Sequence, residues 1–324
     1  IMIDTEYFNG DISGTSNSAF VKLPQTINEG IIKISKNATK SIGIDYGFFY
    51  LGTGGYGPNS TVSIGTIQID GTGNYGVRLN DYSTRSDTYG RTGTKYYDLV
   101  RLEGTANKSI LVEGENNIGI SIAQGRSSDD PTGGEGHLNS SGVLDHQDLI
   151  ANLNVTVGGN ENVGFYRNPN YTGTNHNAMT LNSSKIGDFK FTTTATNSAL
   201  FRSDLDEIIL TKNLNLITGS TGNSIMQAGG SGKVTNQATI ASSLPTFYGL
   251  TAGDFKTSTG ATASNTGIIT LTGNNSLGLA IAAGNTGNNS GGSNSGSHNN
   301  GSTSGSHSQS VQTGDNANVI MWAV

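Results

Sequence analysis

The chain has 324 residues with a formal net charge of −6, and only 13% of them are charged while 47 are Gly. That is about half the usual charged share and about double the usual Gly share of a soluble domain. With no basic cluster and no Cys, the composition argues against nucleic acid and anionic membrane as partners and removes disulfides as a source of stability.

Gly, Asn, Ser and Thr form helices poorly. The apolar residues fall instead in short runs of Ile, Val, Leu and Phe that alternate with Thr, Asn or Ser, the period-2 pattern of half-buried strands. The expectation is an all-β protein.

Taken in chain order, one pattern recurs: an alternating strand, a turn rich in Gly and Asn, then a strand with Gly between apolar residues. Ile34 with Asn37 leads to Ile42-Gly43-Ile44. Ile67-Gln68-Ile69 with Gly71 and Asn74 leads to Tyr75-Gly76-Val77. Val112 with Gly114 and Asn117 leads to Ile118-Gly119-Ile120, and Val155-Thr156-Val157 with Gly159 and Asn162 leads to Val163-Gly164-Phe165. Two degenerate copies, Asn197–Phe201 and Asn223–Met226, carry a side chain in place of the strand Gly. Leu271 with Gly273 and Asn274 then leads to Leu277-Gly278-Leu279.

The copies centre on 43, 76, 119, 164, 200, 226 and 278, at uneven steps of 33, 43, 45, 36, 26 and 52 residues. Regular propellers and leucine-rich repeats keep tighter periods. Asn and Gly tolerate the left-handed conformation of a sharp corner, stacked Asn side chains can hydrogen-bond along a ladder, and a strand Gly marks a bend or close backbone approach. The structural glycines are therefore Gly43, Gly76, Gly119, Gly164 and Gly278. The pattern predicts a β-solenoid, a right-handed parallel β-helix with loop excursions. An irregular sandwich or jelly roll with Asn-Gly hairpins is the competing fold. A coil of about 20–25 residues would give about thirteen to sixteen coils and a rod of about 65–75 Å.

Three stretches interrupt the pattern and read as loops. The first runs through Tyr82, Arg85, Tyr89, Arg91, Lys95, Tyr96 and Tyr97. Tyr offers a broad amphipathic face and Arg directional hydrogen bonds, so Tyr89, Arg91, Tyr96 and Tyr97 are the candidate ligand-binding residues. The second, 126–148, holds Asp129, Asp130, Glu135, His137, Asp145, His146 and Asp148. Paired carboxylates along a groove could perform acid–base work on a polysaccharide, although a solvated polar loop accounts for them as well. The third is Tyr166–Tyr171.

Residues 284–310 contain only Gly, Asn, Ser, Thr, His and Gln. They read as a flexible loop or linker, with an ordered polar ladder as the alternative, and His298 and His307 as spacer residues rather than metal ligands. The expected organisation is a solenoid over 1–283, the tract over 284–310, and resumed solenoid strands over 311–324, in a fragment cut from a longer protein. No protease triad, nucleophile elbow, P-loop or calcium repeat is found, so no catalytic residue, metal site or cofactor is assigned.

At Gly273-Asn274-Asn275-Ser276-Leu277-Gly278-Leu279 and Gly114-Glu115-Asn116-Asn117-Ile118-Gly119-Ile120 the chain resembles the passenger region of fusobacterial-type autotransporter adhesins, in scattered copies over residues 30 to 283. The resemblance implies a right-handed parallel β-helix displayed outside the cell and anchored through an outer-membrane barrel beyond this segment. It also implies attachment to host cells, glycans or other bacteria without membrane insertion by the segment itself. It carries over no binding residue, because the shared motif is scaffold. A vacuolating-toxin-like passenger is the alternative, followed by a β-helix polysaccharide-degrading enzyme or phage tailspike.

Overall fold

The computed structural model describes residues 2–3, 26–27, 30–46, 50–51, 60–79, 96–97, 100–104, 109–122, 150–167, 178–181, 186–204, 207–253, 260–282 and 286–289. Among these the protein is all-β, with no helix, and its strands stack in parallel into three faces.

One face is a single nine-stranded sheet, here the long sheet. In order it stacks Met2–Ile3, Ile42–Tyr46, Tyr75–Leu79, Ile118–Ile122, Val163–Arg167, Ala199–Ser203, Ser224–Ala228, Tyr248–Ala252 and Leu277–Ile281. The second face holds Ile31–Ile34, Thr66–Ile69, Ser109–Val112, Asn154–Val157 and Phe189–Phe191, followed by a separate sheet of Leu214–Leu216, Thr239–Ser242 and Ile268–Leu271. The third face holds Thr26–Ile27, Ser60–Ile64, Val100–Gly104 and Ile150–Ala151, then a five-stranded sheet from Ala178–Leu181 to Thr286–Asn289. The chain visits third face, second face and long sheet in turn, and each circuit lies in register on the one before. This stacking fits a β-solenoid.

The register explains the repeat. On the second face Ile67, Ile110, Val155 and Phe189 pair in one column and Ile69, Val112, Val157 and Phe191 in the next. All eight are at most 3% exposed, whereas the alternating Gln68, Leu111 and Thr156 are half-buried. β-Branched residues suit this pleated surface, and fully burying a side chain of this size is worth about 1.5–3 kcal/mol.

From the second face the chain reaches the long sheet through a sharp corner. In all eight described corners the residue at the same place has positive φ: Lys40, Gly73, Asn116, Glu161, Asn197, Gly222, Thr246 and Asn275, at 48–75°. The residue after it forms a buried ladder. Ser41 N–H donates to Asn74 Oδ1, Asn74 N–H to Asn117 Oδ1 and Asn117 N–H to Asn162 Oδ1, each at 2.7 Å. Asn162 N–H continues to Ser198 Oγ and Ser198 N–H to Asn223 Oδ1, both at 3.0 Å. The amide of each Asn also donates to a carbonyl of its own circuit and one of the preceding circuit, as Asn117 Nδ2 does to Glu113 O (2.6 Å) and Gly71 O (3.0 Å). A buried amide fully paired in this way stabilises the corner, and removing its partners costs more than the bonds gain.

The strand glycines sit two residues beyond the ladder, where successive backbones approach closely. A Cβ on Gly43, Gly76, Gly119 or Gly164 would lie 2.6–2.8 Å from the carbonyl oxygen of the next circuit. Gly278 supplies the same close carbonyl to Gly249, at 2.6 Å. Leu200 and Ile225 take this place in their circuits, and their side chains enter the core fully buried.

Three expectations change. Ile225, not Met226, holds the place of the strand Gly, since Ser224 pairs with Tyr248 and Met226 with Leu250. The 52-residue step conceals a further copy, Tyr248-Gly249-Leu250, whose corner Thr246-Phe247 has no Asn or Gly. Among the described residues the long sheet has nine strands, and one circuit takes 24 residues (Ser224 to Tyr248) to 45 (Ile118 to Val163), mostly more than the 20–25 expected. Nine strands span about 38 Å at ~4.8 Å per strand. The strand Thr286–Asn289, paired in register with Thr262–Asn265, falls inside the tract expected to begin at residue 284. Residues 311–324 lie outside the described residues.

Candidate functional site

Among the described circuits, length varies most at one place. From second face to long sheet the connection is always five or seven residues, whereas from long sheet to third face it changes widely. There it is 22 residues (4–25), 13 (47–59), 20 (80–99), 27 (123–149) and 10 (168–177) in successive circuits. In the following four it is 3 (204–206), 4 (229–232), 9 (253–261) and 4 (282–285). All three interruptions of the repeat therefore leave from the same corner, and they leave from consecutive circuits. Eight of the chain's 12 Tyr, namely Tyr7, Tyr50, Tyr56, Tyr82, Tyr89, Tyr96, Tyr97 and Tyr171, belong to these five long connections.

Two of the connections join. Tyr50–Leu51 and Tyr96–Tyr97 form an antiparallel pair, with Tyr50 opposite Tyr97 and Leu51 opposite Tyr96. Tyr96 and Tyr97 thus belong to a small two-stranded arm between neighbouring circuits. Tyr89 and Arg91 lie outside the described residues, as do Asp129, Asp145 and Asp148 of the acidic stretch and both His298 and His307. Among the described residues no three His, Asp or Glu converge as metal ligands.

Beside this corner the side of the long sheet that faces away from the core carries a polar column, whose middle member Ser121 is fully buried. Asp45 pairs with Arg78, Arg78 with Ser121, Ser121 with Tyr166 and Tyr166 with Arg202. Arg78 holds Asp45 with two bonds, Nε to Oδ1 at 3.0 Å and Nη2 to Oδ2 at 2.5 Å, and its guanidinium lies 5.9 Å from the Tyr75 ring centre. Three circuits on, Arg202 grips Asp204 at 2.7 and 3.0 Å, and Tyr166 Oη donates to the same carboxylate at 2.7 Å. The Arg202 guanidinium lies 5.9 Å from the Tyr166 ring centre.

The two groups repeat one chemistry: a Tyr ring, an Arg near it, and an Asp that fixes the Arg. Planar Arg presents directed donors and stacks on aromatic faces, so the arrangement suits a ligand with many hydroxyl or carbonyl oxygens. Burial first, then the Asp204 charge and hydrogen bond, push the Tyr166 phenol well above its usual range, so it remains a neutral donor. Burial also raises Tyr248, farther along the same sheet.

Sequence reasoning did not find this column. Its members are 33 to 45 residues apart and share nothing locally. The signal was present nonetheless, because Asp45, Arg78, Ser121, Tyr166 and Arg202 each stand two residues after Gly43, Gly76, Gly119, Gly164 and Leu200. Aligning the copies on that place gives the column. Compared with known protein families, curated proteins and solved structures, the chain matches none.

Proposed function

We propose that the chain is part of a right-handed parallel β-helix that serves as a segment of a bacterial surface adhesin of the autotransporter type. In this reading the stacked circuits are a rod, and the corner carrying 4–25, 47–59, 80–99, 123–149 and 168–177 is its binding edge. The observation that carries the proposal is the concentration of long connections and tyrosines on one corner of five consecutive circuits. A scaffold that only spanned distance would have no reason to lengthen one corner and leave the other two short. Loops on a rigid frame are where binding groups accumulate.

The chemistry of the edge favours a neutral, hydroxyl-rich partner, such as a glycan on a host cell or another bacterium. Asp81, Asp87 and Asp98 balance Arg85, Arg91 and Lys95 within residues 80–99, so the stretch combines its tyrosines with polar residues at no net charge. Display outside the cell, with anchoring through a barrel beyond this segment, belongs to the same proposal. The test is binding of the chain to a glycan array and to intact cells. Replacing Tyr89, Arg91, Tyr96 and Tyr97 together by Ala is expected to weaken binding at least tenfold, as loss of a hot-spot cluster does. Undiminished binding by that variant would remove the arm from the site.

A further inference from the structure

Two faces of the stack are interrupted, and at neighbouring places. On the third face the four-stranded sheet ends at Ile150–Ala151 and the five-stranded sheet begins at Ala178–Leu181. On the second face the break falls one circuit later, between Phe189–Phe191 and Leu214–Leu216. Among the described residues no strand pairing crosses either break. The long sheet runs past both without interruption, from Val163–Arg167 to Ala199–Ser203 to Ser224–Ala228. Elsewhere, neighbouring circuits with described strands on all three faces pair on all three. The circuit 178–203 is therefore tied to each neighbour by two faces.

The second-face seam is closed differently from the rest of the stack. Before it, Val155 N–H donates to Asp188 O and Thr192 N–H to Val157 O, both at 2.8 Å. Across it, the described hydrogen bonds lie at its two ends. Lys212 Nζ donates to Ile186 O at 3.1 Å and to Asp188 Oδ1 at 3.2 Å. At the far corner Asn197 N–H donates to Thr221 O at 3.2 Å and Ser198 N–H to Asn223 Oδ1 at 3.0 Å. Between these ends the closure is aromatic. Phe189 packs on Phe201 with ring centres 4.7 Å apart, Phe191 meets Phe247 edge-on at 6.4 Å, and all four are at most 3% exposed. Phe247 belongs to the second circuit beyond Phe191, so this contact passes the intervening circuit. Gly219 of that circuit leaves it room: a Cβ there would lie 3.4 Å from Phe191 Cβ and 2.8 Å from Leu244 Cδ1.

The stability of a solenoid is close to a sum of terms between neighbouring circuits, so a boundary that lacks one face is a weak one. Apolar packing is also non-directional, whereas a strand ladder fixes distance and angle. We propose that the circuit 178–203 is a joint, at which the block of circuits bearing the long connections tilts on the regular block about the continuous long sheet. The last long connection, 168–177, leads into this circuit, and every later connection at that corner has nine residues or fewer. The joint lets the loop-bearing block turn as a unit, and the Phe191–Phe247 contact limits how far the seam opens.

The chain has no Cys, so nitroxide labels can be placed on chosen residues of the full chain and their separations read by double electron–electron resonance. Lys33 and Lys190 lie four strands apart on the unbroken second-face sheet. Lys190 and Ile268 lie three circuits apart across the seam. All three residues are exposed, so the labels leave the core intact. The distance distribution of Lys190→Cys with Ile268→Cys is expected to be at least twofold broader than that of Lys33→Cys with Lys190→Cys. Phe247→Leu, which removes the edge-on ring contact but keeps an apolar side chain, should broaden the seam pair further and leave the sheet pair unchanged. A seam pair as narrow as the sheet pair would overturn the proposal, as would a seam pair whose width does not respond to Phe247→Leu.

Discussion

Replacing Asn117 by Ala removes the centre of the buried ladder and should be among the most destabilising single changes to the stack. Three bonds disappear: Asn74 N–H to Oδ1 at 2.7 Å, and Nδ2 to Glu113 O at 2.6 Å and to Gly71 O at 3.0 Å. Gly71 O keeps the Glu115 N–H at 2.9 Å, so its loss is small. The Asn74 N–H is left buried without an acceptor, for about 1–3 kcal/mol, and loss of the remaining bonds adds about 1 kcal/mol. The expected total is about 3 kcal/mol, a large part of the roughly 5–15 kcal/mol that keeps a domain folded. Asn117→Ser should cost about half as much, because Ser198 shows that a hydroxyl can accept the ladder bond, at 3.0 Å from Asn162 N. Replacing the exposed neighbour Glu115 by Ala should stay within about 0.5 kcal/mol. Urea unfolding monitored by circular dichroism gives all three values on one scale. If Asn117→Ala unfolds at the same midpoint as Glu115→Ala, the ladder does not hold the circuits together and the reasoning fails.

Two further predictions rest on the long sheet. Gly119→Ala would put a Cβ 2.6 Å from the Gly164 carbonyl oxygen and should cost about 1–3 kcal/mol in the same unfolding assay, through backbone displacement rather than lost burial. Tyr166 has its phenol pKa raised, so its contribution to stability is complete below the unfolded value of 10.0 and declines as pH rises past it, where only the unfolded chain releases the proton. Tyr166→Phe should therefore flatten the loss of stability above pH 10.0, measured as the thermal midpoint against pH. An unchanged slope would mean that the buried Tyr166 phenol is not what loses stability above this pH.

The turn and strand pattern made the stacked fold legible, because each copy carries its own local chemistry: a left-handed corner, a buried amide and a close-packed Gly. Reading failed where the chemistry was replaced by packing. Phe247 occupies the ladder place without an amide, packed edge-on against Phe191 at 6.4 Å, so the Tyr248 copy had no turn signal. Coil length misled for a related reason: the strands are regular, but 20 or 27 residues separate Leu79 or Ile122 from the next strand of the third face. That the interruptions carry function was a reading of composition. That they share a corner depends on register, which no local window contains. The Arg78–Asp45 and Tyr166–Arg202–Asp204 groups were hidden in the same way, since they exist only between circuits.

The most direct test of the account is to trim that corner and keep the rod. Residues 47–59 and 80–99 would be replaced by four-residue turns copied from 229–232, which make the same passage between faces in a later circuit. The account predicts an unchanged β circular-dichroism spectrum, a thermal midpoint within a few degrees of the parent, and loss of at least nine-tenths of binding to cells and glycans. A trimmed chain that folds and binds as well as the parent would contradict it.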